Sequence, residues 1–193
     1  MNVSHDPAGS SPDIATAEQV IAAIRTWLQK AVIDLQLCPF AAGPYLTDRV
    51  RYRVSEQRTS DGLLVELSDE LQALQLADPQ TCETTLLIHP QVLTDFHRYN
   101  DFLDECDAAI TALDLDGELQ VASFHPSYRF AGSGAHDIEN YTNRSPYPML
   151  HLLRESSVAR AVASFPDIDT VGDRNIETLR RLGHEGWRRL WIA

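Results

Sequence analysis

Lysine is almost missing from this chain. Lys30 is the only one in 193 residues, so Schiff-base chemistry has a single candidate, and that candidate falls on a helix face expected to meet water. Basic charge is scarce altogether. The formal net charge of −12 weighs against a general nucleic-acid binder, because affinity for a phosphate backbone comes from clustered Lys and Arg. Arg49, Arg51, Arg53 and Arg58 form one local concentration and Arg180, Arg181, Arg188 and Arg189 another, and the ordinary reading of such runs is a solvated face. Cysteine is sparse too. Cys38, Cys82 and Cys106 are far apart with no C-x-x-C pair, which excludes a disulfide framework and a zinc knuckle. No apolar run approaches the roughly 20 residues of a membrane span, and the opening MNVSHDPAGSSPD has neither the basic nor the apolar region of a secretory signal. A cytoplasmic protein with no membrane or nucleic-acid partner is expected.

What is present looks globular. Hydrophobic residues make up 44% and charged residues 23%, ordinary for a folded domain. Residues 1–13 read as a flexible tail, and 14–193 as a single α/β domain. Thr16 and Gln19 suit a capping box, and Ile21, Ile24, Trp27, Leu28, Ala31, Val32 and Leu35 follow at helical spacing as far as Cys38-Pro39. VRYRVSE at 50–56 alternates like a strand with one wet face. Leu63, Leu64, Leu67, Leu71 and Leu74 mark a second helix. TTLLIH at 84–89 reads as a strand buried on both faces. A third helix, opened by Pro90, carries Cys106 on its apolar stripe, and the third strand is Leu119 to Phe124. Helices are expected over Pro148 to about Ser164 and over Ile168 to Leu182. A final segment, His184 to Ala193, places Trp187, Leu190 and Trp191 on one face, for core docking or a homodimer contact.

This alternation predicts a three-layer α/β domain with a small, mostly parallel sheet of at least three strands and about five helices. The alternative is a ferredoxin-like α+β sheet, which needs an antiparallel strand that the pattern does not reveal.

The strands end in VSE56, LIH89-Pro and SFH125-Pro. In open α/β sheets ligands bind beyond the carboxyl ends of the strands, so Glu56, His89 and His125 become the candidate catalytic set. Imidazole titrates near working pH and suits acid–base chemistry. The same His89 and His125, with Glu56 or a loop carboxylate such as Asp137 or Glu139, are also the candidate ligands for a divalent metal ion. The long stretch after Phe124 is rich in aromatic and polar residues, Tyr128 among them, and reads as an ordered site-forming loop. Its segment Asn143-Arg144-Ser145 precedes the expected helix, a suitable place for a small anionic ligand. His151 could face that crevice or the core. Cys38 at a helix end is a poor nucleophile.

LCPF at 37–40, TTLLIHP at 84–90, and ASFHP followed by ENYTNRSPYPMLHLLRE through Glu155 together resemble a bacterial family, the domain-of-unknown-function 1415 family. The resemblance covers nearly all of the chain beyond the tail. It implies a soluble, stand-alone bacterial protein, and it transfers no activity, cofactor or catalytic residue. An enzyme acting on an anionic small molecule is the leading expectation; a non-catalytic metabolite-binding or partner-binding module is the alternative.

Overall fold

A computed structural model describes residues 15–164 and 170–192; the predicted tail at 1–13 and the expected helix start at Ile168 lie outside the described residues. Helix α1, Ala17–Trp27, opens on the expected capping box, with the Gln19 amide donating to Thr16 Oγ1 at 3.3 Å and the Thr16 amide to Gln19 Oε1 at 2.8 Å. It continues as a wider π-helical turn over Leu28–Ile33. Then come α2 (Ala42–Leu46), β1 (Val50–Val54), α3 (Ser60–Leu76), β2 (Thr84–Ile88), α4 (Phe96–Ala112) and β3 (Leu119–Phe124). A 3₁₀ segment at Ile138–Asn143 leads to β4 (Met149–Arg154), α5 (Glu155–Ser164) and α6 (Val171–Arg189). Gly183, at φ +63°, breaks α6 where the sequence placed a helix end, a left-handed conformation that glycine adopts without penalty.

The strand order is β1-β2-β4-β3. β1 and β2 pair in parallel, whereas β4 runs antiparallel to both β2 and β3. β1, β2 and β3 therefore point the same way, as expected, yet the sheet is mostly antiparallel rather than mostly parallel. The α4 crossover from β2 to β3 leaves a gap one strand wide, and β4 fills it. That strand was expected to be the first turns of a helix over 148–164, which begins only at Glu155. Leu, Met and Arg are good helix formers, but pairing between two strands that each need a partner overrides that local preference. The antiparallel strand required by the ferredoxin-like alternative is thus β4; the parallel β1–β2 edge departs from that arrangement. One other boundary moves: α4 is capped by Asp95, whose Oδ1 accepts from the Arg98 amide at 3.1 Å, and Pro90 lies in the turn before it.

Because side chains alternate across a strand, the sheet separates two cores. Leu87, Leu150, Leu152 and Leu119 meet Leu63, Leu67, Leu71, Tyr99, Phe102 and Cys106 of α3 and α4. On the other face Leu86, Ile88 and Met149 meet Val20, Ile24 and Trp27 of α1 with Leu179 and Trp187 of α6. Of the face expected to dock, Trp187 is buried and Leu190 partly so, while Trp191 stays exposed. Lys30 is not on a wet face; it is half-buried, and its ammonium donates to the Leu190 carbonyl at 2.8 Å, where a helix terminus favours positive charge. No helix among the described residues is long and apolar enough to cross a membrane.

Candidate functional site

His89 and His125 do come together at the strand ends, around a turn. Both are buried, at 0% and 1% exposure. His89 Nδ1 donates to the Val92 carbonyl at 2.9 Å. His125 Nδ1 accepts from the Ser127 amide at 3.0 Å, which leaves Nε2 to donate to the Leu93 carbonyl at 3.3 Å. Two histidines thus hold adjacent carbonyls of the turn before α4, where Leu93 takes a φ of +54°, an uncommon conformation for a branched residue that neighbouring bonds must maintain. Tyr99 lies against both rings, with centroids 5.7 Å from His89 and 5.1 Å from His125. Burial pushes the His89 imidazole down to about 4 and lowers His125 as well. His89 Nε2 is buried without a partner among the described residues. Glu56 is exposed on the loop beyond β1.

The long loop is ordered by its own side chains. Asn140 is fully buried and accepts from the Phe130 amide and Ser133 Oγ, while its Nδ2 donates to the Gly134 carbonyl. Arg144 donates to the carbonyls of Tyr128 at 3.2 Å and Ala135 at 2.7 Å and stacks over Tyr141 at 4.3 Å. Asn143 Nδ2 donates to the Ser123 carbonyl and Ser145 Oγ to that of Tyr147; Tyr128 packs on Phe96. No helix begins at Pro148, so the helix-end anion site foreseen at Asn143-Arg144-Ser145 has no helix behind it. Asp137 receives the Gly134 amide and Glu139 pairs with Arg180. Among the described residues no three His, Cys, Asp or Glu side chains come together as metal ligands.

A cavity of about 1050 Å³ opens instead on the face of the sheet opposite α3 and α4. Its floor is the alternate residues of three strands: Thr84 and Leu86 of β2; Met149, His151 and Leu153 of β4; Gln120, Ala122 and Phe124 of β3. Trp27, Leu28 and Val32 form one wall, the last two from the π-helical turn. Cys38, Phe40 and Tyr45 form a second, and Val158 and Ala161 of α5 a third.

His151 sits at mid-floor, opposite Leu86 on one side and Ala122 on the other. Thr84 Oγ1 donates to the Leu152 carbonyl at 2.6 Å, so it receives Nε2–H of His151 at 2.7 Å. The Nδ1 lone pair is thereby left without a partner among the described residues, in a ring that lines the cavity. Burial pushes this imidazole down to about 4, keeping it neutral near pH 7. Burial also raises the Cys38 thiol, away from thiolate. The centre of the cavity is therefore uncharged.

The family model described as "Protein of unknown function (DUF1415)" matches residues 19–189. The chain belongs to that family. Comparison with the curated proteins and with the solved structures gave no match. In this DUF1415 chain the segments carrying the resemblance supply the cavity: LCPF brings Cys38 and Phe40, TTLLIHP brings Thr84 and Leu86, and PMLHLLRE brings Met149, His151 and Arg154. Sequence reasoning singled out Cys38 and His151 without joining them. The alternation of Met149, His151 and Leu153 against Leu150 and Leu152 exists only in the folded strand, because four of those five residues are apolar and the sequence carries no polar–apolar period there.

Proposed function

We propose that the protein binds a largely apolar small molecule in the sheet-face cavity, with His151 Nδ1 and the Thr84–Gln120 floor as its polar contacts. The observation that carries this reading is the cavity itself, close to 1050 Å³, at the upper end of the roughly 300–1,000 Å³ common for ligand sites, mostly apolar with a few convergent polar groups. A neutral imidazole with a bare lone pair accepts a hydrogen bond from a ligand hydroxyl or amide. A base whose conjugate acid titrates near 4 removes protons slowly at neutral pH, which favours binding over acid–base catalysis by His151.

The test is titration with 1-anilinonaphthalene-8-sulfonate, an aromatic sulfonate that fluoresces in apolar sites, against the protein and its Ala122→Phe variant, whose ring would fill the floor. Saturable binding lost in the variant supports the reading; equal signal in both, with the fold intact, overturns it. An enzyme using His89, His125 and Glu56, with or without a metal ion, would need the Val92–Leu93 turn to release both rings before a ligand reached them.

A further inference from the structure

The cavity is polar at one end only. β4 runs from Met149 to Arg154 beneath it, five residue steps, a floor roughly 17 Å long. At the Met149 end stand Phe124 and Trp27, with ring centroids 5.4 Å apart. At the other end the guanidiniums of Arg49 and Arg160 gather in a chain whose net charge is −12. Glu83, 9% exposed, holds both, Arg49 at 3.4 Å and Arg160 at 3.6 Å. Arg154 lines this end too, but its guanidinium is taken up on the α3 side of the sheet, where Nη2 donates to the carbonyls of Leu74, Ala77 and Cys82. Two cations against one carboxylate leave an excess of one positive charge beside a mostly apolar chamber.

Resting on the reading that this cavity is a ligand site, we infer that the ligand is an amphipathic anion. Its carboxylate or phosphate monoester sits between Arg49 and Arg160, and its apolar body lies along Leu86, Ala122 and Met149 toward Trp27 and Phe124. Glu83 fixes Arg49 and Arg160 at the rim, so their remaining N–H groups are already placed to receive an oxyanion. An acyl chain or a flat ring of comparable length fits the floor.

Isothermal titration with decanoate, decyl phosphate and 1-decanol separates the parts of this inference. An oxyanion probe is expected to bind at least about tenfold more tightly than 1-decanol, with an affinity that falls as salt rises. Arg160 is exposed on α5, and Arg160→Ala should bring the charged and uncharged probes close to level. The stronger of decanoate and decyl phosphate identifies the headgroup. Equal affinities for decanoate, decyl phosphate and 1-decanol, indifferent to salt and to Arg160→Ala, would overturn the headgroup while leaving the cavity reading standing. Absence of binding by all three probes, together with anilinonaphthalene sulfonate binding that Ala122→Phe does not change, would overturn both.

Discussion

The two faces of the sheet are made by the same strands and finished differently. On one, α3 and α4, each 17 residues long, cover β2, β4 and β3, and the leucines between them are sealed. On the other, α1 and α6 close over the Ile88–Met149 end and leave Thr84, Leu86 and His151 beneath a chamber. Strand residues one position apart therefore live in different surroundings: Leu150 in close-packed hydrocarbon, His151 against open space. The contrast teaches that the periodicity of two which builds a core also builds a binding floor, when the covering helices stop short.

The largest expected difference is in truncation. Leu87→Ala, on the sealed face, should cost about 2–5 kcal/mol because a cavity is left behind. Leu153→Ala faces an existing chamber and should cost about 1 kcal/mol, little beyond the lost transfer energy. Urea unfolding of the two variants measures the gap, and equal costs would remove the distinction between the faces. The next effect is in pH. His89 and His151 titrate near 4 when folded against an ordinary 6.5, so the unfolded chain takes up protons first as pH falls. Stability should be flat above about 6.5 and decline below it by up to about 1.4 kcal/mol per pH unit for each histidine, with His125 adding in the same sense. A urea midpoint unchanged from pH 7 to 5 would contradict this. Overfilling sharpens the comparison further. Val121→Phe packs toward the α3–α4 side and should cost about 1–3 kcal/mol, whereas the neighbouring Ala122→Phe enters the chamber and should cost less than about 1; thermal melts rank them. Smallest is Glu185→Ala, which breaks an exposed pair with Arg189, remote from both faces, and should stay within about 0.5 kcal/mol.

Much of the frame was legible. The capping box at Thr16, the strands at 50, 84 and 119, and the break at Gly183 are written in short-range signals of capping, alternation and backbone freedom. β4 was not, because Met149–Arg154 has no local feature that separates strand from helix; its conformation is decided by β2 and β3, which lie far away in sequence. The site suffered from the same miss. With β4 read as helix, His151 had no neighbours to be read against. The His-Pro pair at 89 and 125 drew attention because it recurs, and both histidines are found holding carbonyls of one turn. No spacing in the sequence announces a cavity, which depends on where α1 and α5 end in space.

The place of β4 also orders events in time. β1 and β2 meet through one helix, but Thr84 and Leu152, bonded to one another, are 68 residues apart, and β3 gains its only strand partner among the described residues from the same late segment. Long separations of this kind slow folding. A chain emerging from its N-terminus would carry β2 and β3 with open edges until residues 149–154 appear, and unpaired edges invite pairing between molecules. The strand whose alternate residues floor the chamber is therefore also the one that ends the nascent chain's exposure to its neighbours.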